Sequence, residues 1–146
     1  MARQQPHTRS DYPVFQTIST RWMDNDVYGH VNNVVYYSYF DTAVNGYLMA
    51  QGVLDYRDGE TVGLVVETGC QFFSPIAFPD TVNAGVRVTR IGTSSVRYEV
   101  GLFANNGELA AAQGHFVHVY VGAKDHRPAA LPPAFRAALE PLVSDT

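Results

Sequence analysis

The chain has little cysteine, little charge and no long apolar segment, and each shortage excludes a class of protein. Cys70 is its only cysteine, so neither an internal disulfide nor a cysteine-based metal cluster is expected. Its 10 Lys and Arg residues are fewer than its 14 Asp and Glu residues, which leaves no basic stripe for nucleic-acid phosphates. Residues 1–13 contain no apolar run, so we predict neither a signal peptide nor a membrane span, and favour a cytoplasmic protein.

The composition is that of one globular domain. Hydrophobic residues make up 46% of the chain and charged residues 16%, against about a quarter charged in average domains. We therefore predict a single domain over residues 1–146, with part of its surface buried against another subunit. Residues 1–13 are expected to be flexible, and residues 122–146 to form a tail with a short helix at Ala134–Leu139.

The spacing of apolar residues predicts one long helix followed by at least four strands. Val14 to Trp22 alternates as a strand, with Val14, Ile18 and Trp22 on the same face. Residues 24–29 break that pattern, and helical spacing begins at Val31 and ends before Gly52. Four further strands are predicted around residues 61–73, 82–89, 96–102 and 109–121, with an Asn-Gly hairpin turn at 105–107. Because no helix separates these strands, the pattern excludes a doubly wound fold and favours an α+β protein, an antiparallel sheet with the helix on one face.

Polar side chains are concentrated where the predicted helix begins. Asp24, Asp26, His30 and Asn32 supply two carboxylates, an imidazole and an amide within nine residues. A helix start also offers unbonded backbone N–H groups and the positive end of the helix dipole. These groups together could bind and polarise a carbonyl oxygen.

This segment resembles a known family. Asp-x-Asp-x-x-Gly-His-Val-Asn-Asn over residues 24–33, followed by an aromatic-rich helix, is similar to the signature of the hotdog-fold acyl-CoA thioesterases, in particular the 4-hydroxybenzoyl-CoA thioesterase-like group. The order of elements and the turn segment Ile91–Glu99 extend the resemblance from Val14 to Val121. The resemblance implies a hotdog fold, a sheet of about five strands wrapped around the helix. It also implies edge-to-edge pairing of two subunits, with active sites at their interface.

The resemblance assigns roles residue by residue. Asp26 matches the catalytic carboxylate, which acts as general base or nucleophile, and His30 and Asn33 match polar positions near the thioester. Asp24 matches a structural position, and we expect it to pair with Arg21. Backbone N–H groups between His30 and Asn33 would hold the thioester carbonyl. The further substrate contacts predicted are Tyr28, Val31, Asn32, Glu67, Ser94 and Ser95.

The predicted function is hydrolysis of an acyl thioester, with no metal and no cofactor beyond the coenzyme A of the substrate. The turn at Gly92–Ser95 lacks the Arg or Lys that often grips coenzyme A phosphates, and only Arg90 and Arg97 lie nearby. An acyl-carrier-protein substrate therefore stays open beside acyl-CoA. A homodimer or homotetramer is expected. The alternatives are an acyl-thioester hydratase or dehydratase on the same scaffold, and a non-catalytic protein that binds acyl thioesters.

Overall fold

A five-stranded antiparallel sheet packs one face against a long helix in the computed structural model, which describes residues 4–55, 57 and 59–144. The strand order is β1-β3-β4-β5-β2. The strands are β1 (Val14–Ser19), β2 (Thr61–Phe72), β3 (Thr81–Ile91), β4 (Ser95–Ala104) and β5 (Ala112–Gly122), and the α-helices are α1 (Asn33–Ala50) and α2 (Pro133–Leu139). The predicted α+β class and hotdog fold are confirmed.

Alternation in the central strands decides which face of the sheet is covered. Val82, Ala84, Val86 and Val88 of β3 are all fully buried on the inner face, which packs against α1. The inner residues of β4 pair with them in register, for example Val86 with Val100. Each fully buried valine contributes about 1.5–3 kcal/mol by leaving water.

Local sequence signals fix both ends of α1. The side-chain carbonyl of Asn32 accepts a hydrogen bond from the backbone N–H of Val34 at 3.1 Å and so caps the start. Gly52 has a φ of +72° just beyond the end, a conformation that glycine adopts without a Cβ penalty. The helix has 18 residues, which corresponds to about 27 Å.

β1 is shorter than the alternation predicts. It ends at Ser19, and Trp22–Asp24 form a single 3-10 turn because the Asp24 side chain accepts the backbone N–H of Arg21. Trp22 was expected on the buried face of the strand, but its side chain is 79% exposed. The expectation for Trp22 is therefore wrong.

Residues 4–12 lie along the outer face of the sheet, although residues 1–13 were expected to be flexible. The Tyr12 ring is buried against Gly85 and Gly101, where any larger side chain would overlap it. The Tyr12 hydroxyl and the His7 ring are 2.7 Å apart, and the His7 backbone N–H donates to Gln113 at 2.7 Å. Residues 1–3 lie outside the described residues.

β2 is an edge strand with an unusual exposed apolar stretch. Leu64, Val65 and Val66 are 47%, 48% and 60% exposed. A bulge interrupts the pairing of β2 with β5 between Val65 and Glu67. A long edge with exposed apolar side chains is a template for pairing with another chain.

The tail closes the far end of the core. The short helix predicted at Ala134–Leu139 is present as α2, and its Arg136 donates to the carbonyl of Gly92 at 2.7 Å. The hydroxyl of Tyr47 in α1 donates to the carbonyl of Ala138 at 2.7 Å. Among the described residues, no helix combines the length and apolar character needed to cross a membrane.

A histidine side chain lies inside the core. His118 of β5 is 3% exposed on the inner face, its Nδ1 lies 3.4 Å from the Tyr120 hydroxyl, and its Nε2 is buried without a partner. Burial lowers the pKa of His118 to about 4, although the negative charge of Asp41 opposes the shift. The folded protein therefore holds this imidazole neutral.

We predict that acid destabilises the fold through His118. Its pKa is lower in the folded state than the ordinary 6.5, so the unfolded chain binds more protons between pH 6.5 and about 4, and stability falls as the pH falls through that window. The contribution has a slope of up to about 1.4 kcal/mol per pH unit. Urea unfolding across this range should show His118→Leu with a smaller slope than the wild type. His126→Asn, in an exposed turn, serves as the control and should retain the wild-type slope; equal slopes in all three proteins would contradict the prediction.

Candidate active site

The loop before α1 folds back on itself as a small hairpin. Asn25 and Val31 form an antiparallel bridge, and the Asp26 N–H donates to the carbonyl of His30 at 2.9 Å. The Gly29 N–H donates to the carbonyl of Asp26 at 3.0 Å, and Gly29 has a φ of +79°. Glycine suits this turn because left-handed backbone strains other residues. Asp26 therefore sits at the start of a tight turn directly before the helix.

Asp24 is completely engaged in structure. Its carboxylate is 1% exposed, and it accepts hydrogen bonds from the Arg21 guanidinium at 2.8 and 3.0 Å and from the Tyr39 hydroxyl at 2.7 Å. Burial raises the pKa of Asp24, but the hydrogen bonds from Tyr39 and Arg21 outweigh burial, and the net pKa is lowered. The expected pairing of Asp24 with Arg21 is confirmed.

The carboxylate of Asp26 accepts fewer hydrogen bonds than that of Asp24. It is partly buried, and one oxygen accepts the backbone N–H of Tyr28 at 2.9 Å. No other hydrogen bond or ion pair to this carboxylate forms among residues 4–55, 57 and 59–144. Of two aspartates two positions apart, only Asp26 therefore keeps an oxygen available to accept a proton.

Fewer unbonded backbone N–H groups lie at the helix start than the sequence predicts. The N–H of Val31 donates to the carbonyl of Ile76 at 2.7 Å, and that of Asn32 donates to the carbonyl of Asp24 at 2.9 Å. Val31 and Asn32 were predicted to contact the substrate, but both of their N–H groups are already bonded and the Asn32 side chain is the helix cap. Within the described chain, the N–H groups of His30 and Asn33 have no partner. The side chains of both residues are exposed.

Apolar side chains surround this loop. The exposed ones are Trp22, Met23, Val27 and Tyr28, at 79%, 74%, 95% and 84%. Trp22 packs edge-on against Phe78 with ring centroids 5.9 Å apart. Exposed apolar patches rimmed by polar groups mark binding surfaces, so the surroundings of Asp26 suit an apolar ligand or a second protein surface.

Aromatic residues lie on the inner side of the loop. The ring of Tyr36, which is buried, meets that of the partly exposed Phe72 edge-on at 4.9 Å. Burial is the main reason that the pKa of Tyr36 is raised, and the charge of nearby Asp26 contributes to the shift. The Asp26 carboxylate thus lies close to the junction of α1 and the end of β2.

Three predicted contacts are not brought to Asp26 within one chain. Glu67 lies on the outer face of the sheet, 2.8 Å from the ring of His115. Ser94 and Ser95 lie at the turn between β3 and β4, where β3 ends. The Asp26 loop lies at the opposite end of β3, because it follows β1 and the end of β1 pairs with Thr81, where β3 begins. An 11-residue strand separates these ends, a distance of about 35 Å.

Two residues that fix the loop were missed in the sequence. The side-chain carbonyl of Asn25 accepts the N–H of Phe78 at 3.0 Å, and the carbonyl of Ile76 accepts the N–H of Val31. Both contacts join the loop to the connection between β2 and β3. An Asn in a loop and an apolar residue after a Pro are too common to signal such a role. Among the described residues, no group of three or more His, Cys, Asp or Glu side chains could hold a metal ion.

Comparison with known proteins agrees with the fold. A model of the thioesterase-like superfamily matches residues 20–139. The chain belongs to that superfamily. Among solved structures, the PA5185 protein of Pseudomonas aeruginosa strain PAO1 is 52% identical, with a TM-score of 0.94 over 98% of this chain and 99% of that one.

Two more proteins are similar to this superfamily member. A thioesterase of Thermus thermophilus, solved with coenzyme A and zinc, is 36% identical, with a TM-score of 0.73 over 90% of this chain and 95% of that one. The Bacillus subtilis (strain 168) protein YsmA is 22% identical over 88 residues, 60% of this chain and 59% of that protein. The chain therefore spans about six tenths of the length of this curated relative.

The two aspartates of this superfamily member should respond differently to the same mutation. Asp24→Asn should lower the free energy of unfolding by about 2 kcal/mol, because a buried charge with several donors is lost. Asp26→Asn should change it by less than about 0.5 kcal/mol, since an amide oxygen can still accept the Tyr28 N–H. Urea denaturation measures both values. Equal losses of the free energy of unfolding, or a larger loss for Asp26→Asn, would contradict the assignment of the structural role to Asp24.

Proposed function

We propose that this protein hydrolyses an acyl-CoA thioester to a carboxylic acid and free coenzyme A. The proposal depends chiefly on one observation: Asp26, beside the start of α1, keeps a carboxylate oxygen without a partner among the described residues, whereas Asp24 does not. The 36% identical thioesterase bound to coenzyme A supports the choice of thiol carrier. An acyl-carrier protein is the alternative carrier.

Asp26 supplies the base or the nucleophile. As a base, its free oxygen takes a proton from water while the water oxygen attacks the thioester carbonyl. As a nucleophile, the same oxygen attacks the carbonyl directly and forms a mixed anhydride that water then cleaves. In both routes the carbon–sulfur bond breaks and the thiolate leaves, so a strong general acid is not required.

The unbonded N–H groups of His30 and Asn33 are the proposed stabilisers of the tetrahedral oxyanion. Donors that are already oriented and unpaired can meet the developing charge without first breaking another hydrogen bond. Loss of one such donor costs about 3 kcal/mol of barrier in well-studied enzymes. The exposed side chains of His30 and Asn33 are placed to orient the water or the substrate. Tyr28 and the apolar side chains near it form the proposed contact for the acyl group.

A second copy of the chain is proposed to complete the site. Ser94 and Ser95 lie at the end of the sheet remote from Asp26, so the two groups can serve one substrate only if they come from different protomers. Antiparallel pairing of β2 with a second β2 would bring opposite ends of two sheets together and would cover Leu64, Val65 and Val66. A homodimer is the smallest assembly of this kind.

Replacement of the proposed base tests the chemistry. Asp26→Asn should lower kcat/KM for acyl-CoA hydrolysis at least a hundredfold, about 3 kcal/mol of transition-state stabilisation, and thiol release measures it. Asp125→Asn is a matched control, because Asp125 accepts the N–H of Arg127 at 3.1 Å in the same kind of turn. Full activity of Asp26→Asn, or an equal loss in the control, would contradict the assignment. Loss of an enoyl double bond without thiol release would favour a hydratase instead.

Replacement of edge residues tests the assembly. The double variant Val65→Lys and Val66→Lys should convert the protein to a monomer, because charges on an exposed edge oppose strand pairing. Thioester hydrolysis should be lost when the dimer dissociates. Light scattering after size-exclusion chromatography gives the mass. Val143→Lys changes an apolar residue that is 47% exposed elsewhere and should keep the wild-type mass. A fully active monomer would rule out a shared site.

A further inference from the structure

The hairpin over residues 25–31 is attached at two points to the connection between β2 and β3. In its first leg, the side-chain carbonyl of Asn25 accepts the N–H of Phe78 at 3.0 Å. In its second leg, the N–H of Val31 donates to the carbonyl of Ile76 at 2.7 Å. Because one attachment lies on each leg, the two together limit rotation of the hairpin about its base.

The connection that receives the Asn25 bond is itself fixed. The N–H of Asp80 donates to the carbonyl of Ala77 at 2.8 Å, and the Asp80 carboxylate accepts the N–H of Ala77 at 3.1 Å, so these residues close a tight turn. The carbonyl of Asp80 accepts the N–H of Thr20 at 3.3 Å, which joins the turn to the end of β1. Phe78 lies within this turn, and its bond to Asn25 therefore orients the hairpin rather than the turn.

Asn25 makes the only side-chain hydrogen bond that leaves the hairpin, within the part of the chain that the structure describes. The Asp26 carboxylate bonds inside the hairpin, to the N–H of Tyr28. The attachment through Val31 is a backbone bond, so a substitution of Asn25 leaves it in place. One attachment can therefore be removed while the other remains.

Movement of the first leg would displace Asp26, which directly follows Asn25. One Asp26 oxygen accepts no hydrogen bond from the described residues, so no bond of its own would hold that oxygen in place. Its position relative to the N–H groups of His30 and Asn33 thus depends on the hairpin as a whole. A misplacement of reacting groups by about 1 Å can lower a rate about a hundredfold.

We propose that Asn25 is a positioning residue for Asp26: its bond to the N–H of Phe78 holds the Asp26 carboxylate where it can react. This role rests on the proposed thioester hydrolysis. Reactive groups depend on neighbouring bonds that fix the elements carrying them. Asn25 itself contacts neither the substrate nor the attacking water, so its contribution is to turnover rather than to substrate binding.

Two substitutions of nearly equal size separate the hydrogen bond from packing. Asn25→Leu removes the acceptor and should lower kcat for acyl-CoA hydrolysis at least about tenfold, with KM within about twofold of the wild type. Asn25→Asp keeps an acceptor for the Phe78 N–H and should retain kcat within about threefold. Asn83→Leu is the matched control, because Asn83 accepts a guanidinium N–H of Arg9 at 2.9 Å on the outer face, and it should leave both constants unchanged. Thiol release measures all four proteins.

Hydrogen exchange tests the attachment without reference to activity. The N–H groups of Asp26 and Gly29 donate within the hairpin, and mass spectrometry of peptides over residues 25–31 should show faster exchange in Asn25→Leu than in the wild type or Asn83→Leu. Unchanged exchange, wild-type kcat in Asn25→Leu, or an equal loss of kcat in Asn25→Asp would overturn the positioning role. Faster exchange in Asn25→Leu, when the wild type hydrolyses no acyl-CoA, would overturn the proposed function and leave the attachment through Asn25 standing.

Discussion

The buried carboxylate of Asp24 is the constraint on which the candidate active site depends. It fixes the Arg21 side chain and the Tyr39 hydroxyl, so the loop before α1 is attached to the helix itself. The carbonyl of the same residue accepts the N–H of Asn32, the cap of the helix. Helix start and loop are thereby held in one arrangement, and the position of Asp26 follows from that arrangement rather than from bonds of its own.

Two aspartates two residues apart thus have different roles: Asp24 stabilises the loop, and Asp26 is the proposed base or nucleophile. A carboxylate surrounded by donors is stabilised as an anion and is a poor proton acceptor, which is the situation of Asp24. A carboxylate with one local hydrogen bond keeps an oxygen for a reacting proton, which is the situation of Asp26.

Patterns that depend on neighbours in sequence were readable before the structure. The buried valines of β3, the end of α1 at Gly52 and the short helix α2 all follow from spacing, turn chemistry or capping within a few residues. The family signature also predicted the structural role of Asp24, and the catalytic role of Asp26 stays a prediction. Strands, helix ends and helices that depend on neighbouring residues can therefore be predicted from the sequence.

Features that depend on distant residues were not readable. Trp22 fits the alternation of β1, but the Asp24 carboxylate turns the chain before the strand reaches it. Tyr12 is buried because two cross-strand glycines, Gly85 and Gly101, leave room for its ring. Which N–H groups of the helix start stay free depends on the carbonyl of Ile76, more than forty positions along the chain. Each case is a contact between distant segments, and neither segment's sequence contains a pattern that predicts it.

The distribution of groups along the sheet supports the proposal that two copies of the chain form one site. Asp26 and the apolar side chains around it lie at the end where β3 begins, and the turn carrying Ser94 and Ser95 lies where β3 ends. Antiparallel pairing of two copies would place the first end of one sheet against the second end of the other, so the proposed dimer accounts both for the exposed edge at β2 and for the separation of the two ends.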